Sequence, residues 1–254
     1  MAISFFQGAF LGLIQGVTEW FPISSSGHLV LFQQLFGITK SVALDIVLHL
    51  ASLIVVLIVL RQDIIKLVKG VYNKDKYFLN YFLWLVIASI PIAFVGFFFN
   101  GYIKQTFDNP LVVGISFLFT GLLLLLSKYP LKKTKSLSFL STLIMGIGQA
   151  IAILPGVSRS GTTISLGLLQ GRKREDVARF SFLLFIPAIV GASILEISSL
   201  RTLTDIPVVL FSAGVTILTG LISLRLLLKI IKNKKFYYFG WYCLVMGLIV
   251  LILY

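Results

Sequence analysis

Two short stretches hold most of the side chains able to do chemistry in an otherwise apolar chain. The first, EWFPISSSGH over 19–28, gathers a carboxylate, three consecutive serines and an imidazole: Glu19, Ser24, Ser25, Ser26 and His28. The second, PGVSRSGTT over 155–163, gathers Ser158, Arg159, Ser160, Thr162 and Thr163. Gln15 and Glu19 are spaced i, i+4 and share one face of a helix. Serines ahead of an apolar run read as helix N-caps. Two half-helices starting near His28 and Thr162 would therefore aim free backbone N–H groups at one point and build an anion site. Arg159 adds a permanent, fork-shaped cation suited to phosphate. The predicted contacts of such an anion are Ser24, Ser26 and Gly27 from the first stretch and Ser158, Ser160, Gly161, Thr162 and Thr163 from the second. Glu19 and His28 can move protons. A serine or a histidine can attack phosphorus, and a carboxylate beside an anionic ligand often holds a divalent cation.

Each group also has an ordinary reading. SSSG alone is a common turn, Glu19 beside Trp20 could sit at a membrane interface, and Arg159 could snorkel to a headgroup. Asp45 and His49, again i, i+4, either support the site or satisfy each other. Glu196 reads as interfacial. With two histidines in the chain and no cysteine beside them, a zinc site is disfavoured.

The elements that must position these groups follow from composition. Of 254 residues, 58% are hydrophobic and 12% charged, about half the charge of a soluble domain. Apolar runs at 41–60, 77–99, 111–127, 177–199, 207–225 and 236–254 are of membrane-spanning length and too uniform for barrel strands. A net charge of +13 would suggest nucleic acid in a soluble protein. Here the basic residues cluster in loops 61–76, 128–135 and 225–235, while 100–110 and 200–206 are nearly neutral, so the positive-inside rule accounts for them and no nucleic-acid partner is expected. The basic loops are then cytoplasmic, and the neutral loops and the C-terminus external. No basic n-region or small-residue cleavage site precedes the first polar cluster, so no signal peptide is expected. The one cysteine, Cys243, reads as a small hydrophobe in a span.

Residues 1–37 and 137–171 are apolar but broken at 22–27 and 155–161, as re-entrant hairpins would be. A shift of 134 residues superposes Gly12 on Gly146, Gln15 on Gln149, Ser24 on Ser158, Ser26 on Ser160, Gly27 on Gly161 and Gly37 on Gly171. The expected fold is one all-α integral membrane domain over 1–254 made of two repeats, 1–127 and 137–254, each a re-entrant helical hairpin plus three transmembrane helices. Three spans per half invert the second repeat, and broken helices at matching positions of inverted halves point to a midplane site.

GLIQGVTEWFPISSSGH over 12–28 resembles the first signature of the undecaprenyl-diphosphate phosphatase family, the bacitracin resistance proteins. PGVSRSGTT is similar to the second. The resemblance implies hydrolysis of undecaprenyl diphosphate to undecaprenyl phosphate and inorganic phosphate. That reaction recycles the lipid carrier for peptidoglycan synthesis and confers bacitracin resistance. It implies Glu19, Ser25, His28, Ser158, Arg159 and Thr163 as core residues and a divalent cation, Mg²⁺ or Ca²⁺, as cofactor. Gln15 stands where the family often has glutamate, so the resemblance implies Glu19 with Gln15 as the metal set. Ser25 is slightly favoured over His28 as nucleophile, with Glu19 as base or ligand. A polyprenyl diphosphate lipid is the implied partner among membrane lipids, with a homodimer left open. The implied location is the bacterial plasma membrane, with the site open to the outer face. The competing function is transport of undecaprenyl phosphate through the same site. A phosphatidic-acid-type phosphatase is disfavoured, because its upstream Lys-to-Arg-Pro element is missing and no histidine follows Arg159.

Overall fold

A computed structural model describes residues 3–38, 41–130 and 135–254. Twelve α-helices account for most of them. The first half comprises α1 (Phe5–Thr18), α2 (Ser25–Leu35), α3 (Val42–Val59), α4 (Arg61–Tyr72), α5 (Lys76–Phe98), α6 (Asn100–Thr106) and α7 (Pro110–Leu126). The second comprises α8 (Phe139–Ile151), α9 (Arg159–Leu169), α10 (Arg174–Leu195), α11 (Ile206–Lys232) and α12 (Phe239–Leu253). Among the described residues the only β pairing is an isolated bridge between Lys135 and Arg172.

Among the described residues, five helical segments are long and apolar enough to cross a bilayer: α3, α5, α10, α11 and 236–253, which contains α12. A sixth is α6 with α7, bent by 92° between them. All six apolar runs of the sequence are recovered, and the chain is an all-helical, multi-pass membrane protein. By contrast α1, α2, α8 and α9 have 14, 11, 13 and 11 residues. At 1.5 Å per residue none reaches the roughly 30 Å of a hydrocarbon core. The breaks that shorten them are the two polar stretches.

The predicted loops differ in three places, the first being α6 (Asn100–Thr106) inside 100–110. Residues 61–72 form the amphipathic α4, because Ile64 and Leu67 repeat at helical spacing and pack on the core while Arg61, Lys66 and Lys69 face outward. Helix α11 runs on to Lys232, since no glycine or proline interrupts LISLRLLLKIIK and its Arg225, Lys229 and Lys232 stay exposed. Lys132 and Lys133 of the basic loop lie outside the described residues.

Close packing rests on small residues, as expected where lipid is as apolar as leucine. Gly8, Gly12 and Gly16 of α1 form a stripe against Ser212, Thr216 and Gly220 of α11, and Thr216 donates to the Gly12 carbonyl at 3.0 Å. A Cβ on Gly12 would overlap the Ser212 carbonyl oxygen, and one on Gly146 of α8 the Ala88 carbonyl oxygen of α5. Helices α7 and α12 run antiparallel: a Cβ at Gly240 would stand 2.7 Å from Gly121 O, and one at Gly247 would stand 2.9 Å from Gly114 O.

Candidate active site

Glu19 closes the C-terminal end of α1, its N–H bonded to Gln15 O at 3.0 Å. The chain then reverses through Phe21–Ser24. Ser24, at φ 65°, caps α2 by accepting the Gly27 N–H at 3.2 Å. The second hairpin turns at Gly156, whose φ of 92° and close approach to Val113 O leave no room for a Cβ. Ser158 then caps α9 by accepting the Gly161 N–H at 3.1 Å. The same local device thus starts both half-helices.

The two tips meet. Arg159 Nη2 donates to Glu19 Oε1 at 2.8 Å, and Ser160 Oγ donates to Trp20 O at 3.1 Å. On the other carboxylate oxygen, Oε2, Ser25 Oγ donates at 2.6 Å and Gln15 Nε2 at 3.1 Å, while His49 Nε2 lies 3.5 Å away. Arg159 is held further by the Phe185 ring, whose centroid lies 4.2 Å from Cζ, a cation–π contact, and by Ser181 O at 3.5 Å. A buried carboxylate and guanidinium are tolerable in hydrocarbon only when paired and hydrogen-bonded in this way.

Glu19, Ser24, Ser25, Ser26, Ser158 and Arg159 form one end of a cavity of about 710 Å³. Asp45 and His49 of α3 stand on its wall. Apolar side chains of α5 (Ile92, Ala93, Phe97) and α10 (Ile189, Ala192, Leu195) line the remainder. At the far end Lys104 Nζ meets Glu196 Oε1 at 2.6 Å, and Asn100 donates to the same oxygen at 3.0 Å. Burial pushes the Glu196 carboxyl up, but Lys104, Asn100 and Ser199 outweigh it and hold the group below the usual carboxylate range. Glu196 is therefore an ion-paired residue at the cavity mouth.

The remaining predicted residues stand behind this wall. Gln15 is fully buried and joins Glu19 to Ser52, to which its Nε2 donates at 3.2 Å. Thr163 Oγ1 donates to Arg159 O at 2.8 Å and contacts Ser181 Oγ at 2.6 Å, so it braces the arginine. Ser160 is spent on the Trp20 carbonyl, and Thr162 is buried. Gly27 and Gly161 serve close packing: a Cβ would stand 2.8 Å from the Phe117 ring at the first and 3.0 Å from Ser158 Cβ at the second.

His28 differs from the expectation. It is 2% exposed, is not among the residues lining the cavity, and has both ring nitrogens engaged. Nδ1 lies 2.7 Å from Ser24 O and Nε2 2.7 Å from the Tyr242 hydroxyl. A carbonyl can only accept, so Nδ1 carries the proton and Nε2 accepts from Tyr242. The imidazole is a strut holding Ser24 in its left-handed conformation, and the histidine facing Glu19 is His49. Sequence reasoning did not single out Ser52, Ser181, Phe185 or Tyr242. They lie singly in apolar runs, and only helix packing brings them to the site.

The donors suit a divalent cation shared with a ligand and do not suit a protein-only cage. Among the described residues no group of three or more His, Cys, Asp or Glu gathers for a metal. Gln15 Oε1, on the amide whose Nε2 donates to Glu19, is nonetheless a buried oxygen with no hydrogen-bond partner. One carboxylate plus such an oxygen leaves most of the coordination sphere to phosphate and water, the usual habit of Mg²⁺.

Known proteins are similar to this chain along nearly its whole length. The family model described as bacitracin resistance protein BacA matches residues 8–249. An undecaprenyl-diphosphatase of Methanococcus maripaludis (strain C7) is 39% identical over 244 residues, 95% of this chain and 97% of the relative. One from Carboxydothermus hydrogenoformans is 37% identical, covering 98% of this chain and 97% of the relative. One from Thermosipho africanus is 40% identical, covering 94% and 96%. Both polar hairpin tips fall inside the matched region, and the chain belongs to the bacitracin resistance protein BacA family.

Proposed function

We propose that this protein is a membrane phosphatase that hydrolyses undecaprenyl diphosphate to undecaprenyl phosphate and inorganic phosphate. Family membership and relatives named undecaprenyl-diphosphatase support the reaction. The observation that carries the mechanism is the triad at the polar end of the cavity: Ser25 Oγ at 2.6 Å from Glu19 Oε2, and Arg159 at 2.8 Å from Glu19 Oε1.

Glu19 takes the Ser25 proton as Oγ attacks the terminal phosphorus. The P–O bond to the bridging oxygen breaks, and undecaprenyl phosphate leaves with that oxygen. Glu19 gives its proton to the departing oxygen, and water then attacks the phosphoserine: Glu19 takes the water proton and returns it to Ser25 Oγ as that O–P bond breaks, which releases inorganic phosphate and restores Ser25. Arg159 has donors left over from Glu19 and Ser181, and it neutralises the phosphoryl oxygens as charge develops. Ser24 Oγ takes the Gly27 N–H and meets Ser26 Oγ at 3.3 Å, and the Ser25 and Ser26 amides at the head of α2 serve the anion. Glu19 and the Gln15 carbonyl oxygen would hold a divalent cation, Mg²⁺ or Ca²⁺, which would supply further charge neutralisation. His28 keeps the Ser24–Ser26 turn in shape, and the apolar walls of α5 and α10 accept the first isoprene units.

The two halves are read as inverted repeats. Two features support this: α1 packs on α11 while its counterpart α8 packs on α5, and the counterparts α7 and α12 run antiparallel. The site is read as open to the outer face. In support, the cavity mouth lies at Asn100, Lys104 and Glu196, at the C-terminal end of α10, while Arg172–Arg174 lie at its other end. Every group named comes from one chain, so a homodimer is not needed for the chemistry. The same site would suit transport of undecaprenyl phosphate, but no observation favours transport over hydrolysis.

Purified protein in detergent should release phosphate from undecaprenyl diphosphate and lose that activity in a chelator. Ser25→Ala should lower turnover by about 10³-fold or more, and rapid acid quench should trap phosphate on Ser25 of the active protein. Near-normal turnover by Ser25→Ala, or phosphate mapped to His28, would overturn the nucleophile.

A further inference from the structure

A second cavity, of about 510 Å³, lies at the opposite end of α10 from the catalytic mouth. Helix α10 has 22 residues and so measures about 33 Å. Phe185, which stacks on Arg159, lies halfway along it. The catalytic site is thus near mid-depth, its mouth is at one end of the helix, and the second cavity is at the other. The cavity is enclosed by the start of α10, the turn before it, the end of α11 and the segment after α7.

Arg172, Lys173, Arg174, Lys232 and Lys234 line this space against only two carboxylates, Glu175 and Asp176. Glu175 is already met by Lys232 at 3.8 Å. Three positive charges remain in excess on one concave surface, where they repel each other unless an anion enters. The rim is built and not loose. Lys135 N donates to Gly171 O at 2.8 Å, Lys173 N to Lys135 O at 3.0 Å, and Arg172 Nη1 to Ser136 O at 2.8 Å. Arg172 Nε is buried with no hydrogen-bond partner, so part of its fork is unused. Lys173, the N-cap of α10, gives no side-chain cap, and the first-turn amides have no protein acceptor from it.

The positive-inside rule accounts for lysines at this face but not for their convergence on a cavity. The group they fit is a phosphate, and the depth indicates its source. The cavity lies at the ends of three membrane helices, with Leu168 and Pro130 as apolar walls. Nearby Tyr129 and Tyr237 flank Lys128, whose Nζ stands 5.4 and 5.2 Å from their ring centroids. Aromatic and basic side chains together mark headgroup level. We propose that this cavity binds the phosphate headgroup of an anionic membrane lipid in the leaflet opposite the catalytic mouth. It shares no residue with the catalytic cavity and does not depend on the hydrolytic mechanism.

The test is native mass spectrometry and thermal unfolding of the full chain in detergent, with added phosphatidylglycerol, phosphatidylcholine or millimolar inorganic phosphate. Phosphatidylglycerol should stay bound and raise Tm, whereas the other two should not. Lys232→Gln/Lys234→Gln, both exposed and safe for folding, should weaken phosphatidylglycerol binding roughly 30-fold. Arg172→Gln should weaken it further. The control Lys66→Gln/Lys69→Gln on α4 removes the same charge outside the cavity and should leave binding unchanged. Equal losses in the control and in the cavity variants would overturn the site. An equal Tm shift with inorganic phosphate alone, or equal retention of phosphatidylcholine, would overturn the lipid headgroup as its ligand.

Discussion

Arg159 is fixed from three directions: by the Glu19 carboxylate, the face of Phe185 and the Ser181 carbonyl. A lysine at this position would keep the charge but lose the planar fork and the stacking. Arg159→Lys should therefore cut phosphate release by about 10²-fold or more while leaving the detergent-solubilised protein monodisperse on size exclusion. Turnover near that of the unsubstituted protein would mean that charge alone suffices. The chemical types at the site were legible: a carboxylate, serines as caps and an arginine in a lipid-soluble stretch each need a reason to be there. The aim of each side chain was not. His28 follows the serine turn directly, yet its ring bonds back to the Ser24 carbonyl one turn below and across to Tyr242 of α12, so both ring nitrogens are engaged away from Glu19. His49 shows the converse: the i, i+4 pair with Asp45 was visible, but only the packing of α3 beside α1 brings it within 3.5 Å of Glu19.

Glycine decides how closely the hairpins approach the spans. A Cβ on Gly146 would strike the backbone of Ala88, which cannot give way as a side chain can, whereas Gly214 of α11 has nothing within 4 Å. Gly146→Ala should cost about 1–3 kcal/mol and lower the thermal transition in detergent. Gly214→Ala should be neutral or slightly stabilising, since alanine suits a helix better. Equal behaviour of the two would refute close packing at the hairpin. The six apolar runs and the two broken hairpins could be read from hydropathy and from the matching glycines and serines 134 residues apart. The amphipathic α4 was masked by its five nearby lysines and arginines, because charge density reads as loop until the apolar residues between the charges are placed on one face.

Across the whole molecule, the long axis of α10 separates a mouth paired by Lys104 and Glu196 from a strongly basic end. Gln105→Cys, next to the mouth, should react with a membrane-impermeant maleimide on intact cells. Lys173→Cys should react only after permeabilisation. The native Cys243 is fully buried and should stay silent in both. Labelling of both positions from one side would refute opposite exposure of the two ends.

Composition, hydropathy and two short motifs by themselves determined that the chain lies in a membrane, where its long apolar helices fall and where the polar stretches break the shorter ones. These are properties of local segments, set by the cost of placing charge or broken backbone in lipid. Tertiary structure alone decided that Glu19 Oε2 faces Ser25, that Arg159 reaches Glu19 across 140 residues of sequence, that His28 turns away, and that five cations close on a second cavity. Those outcomes depend on the angles and separations at which helices pack, and no single segment encodes them.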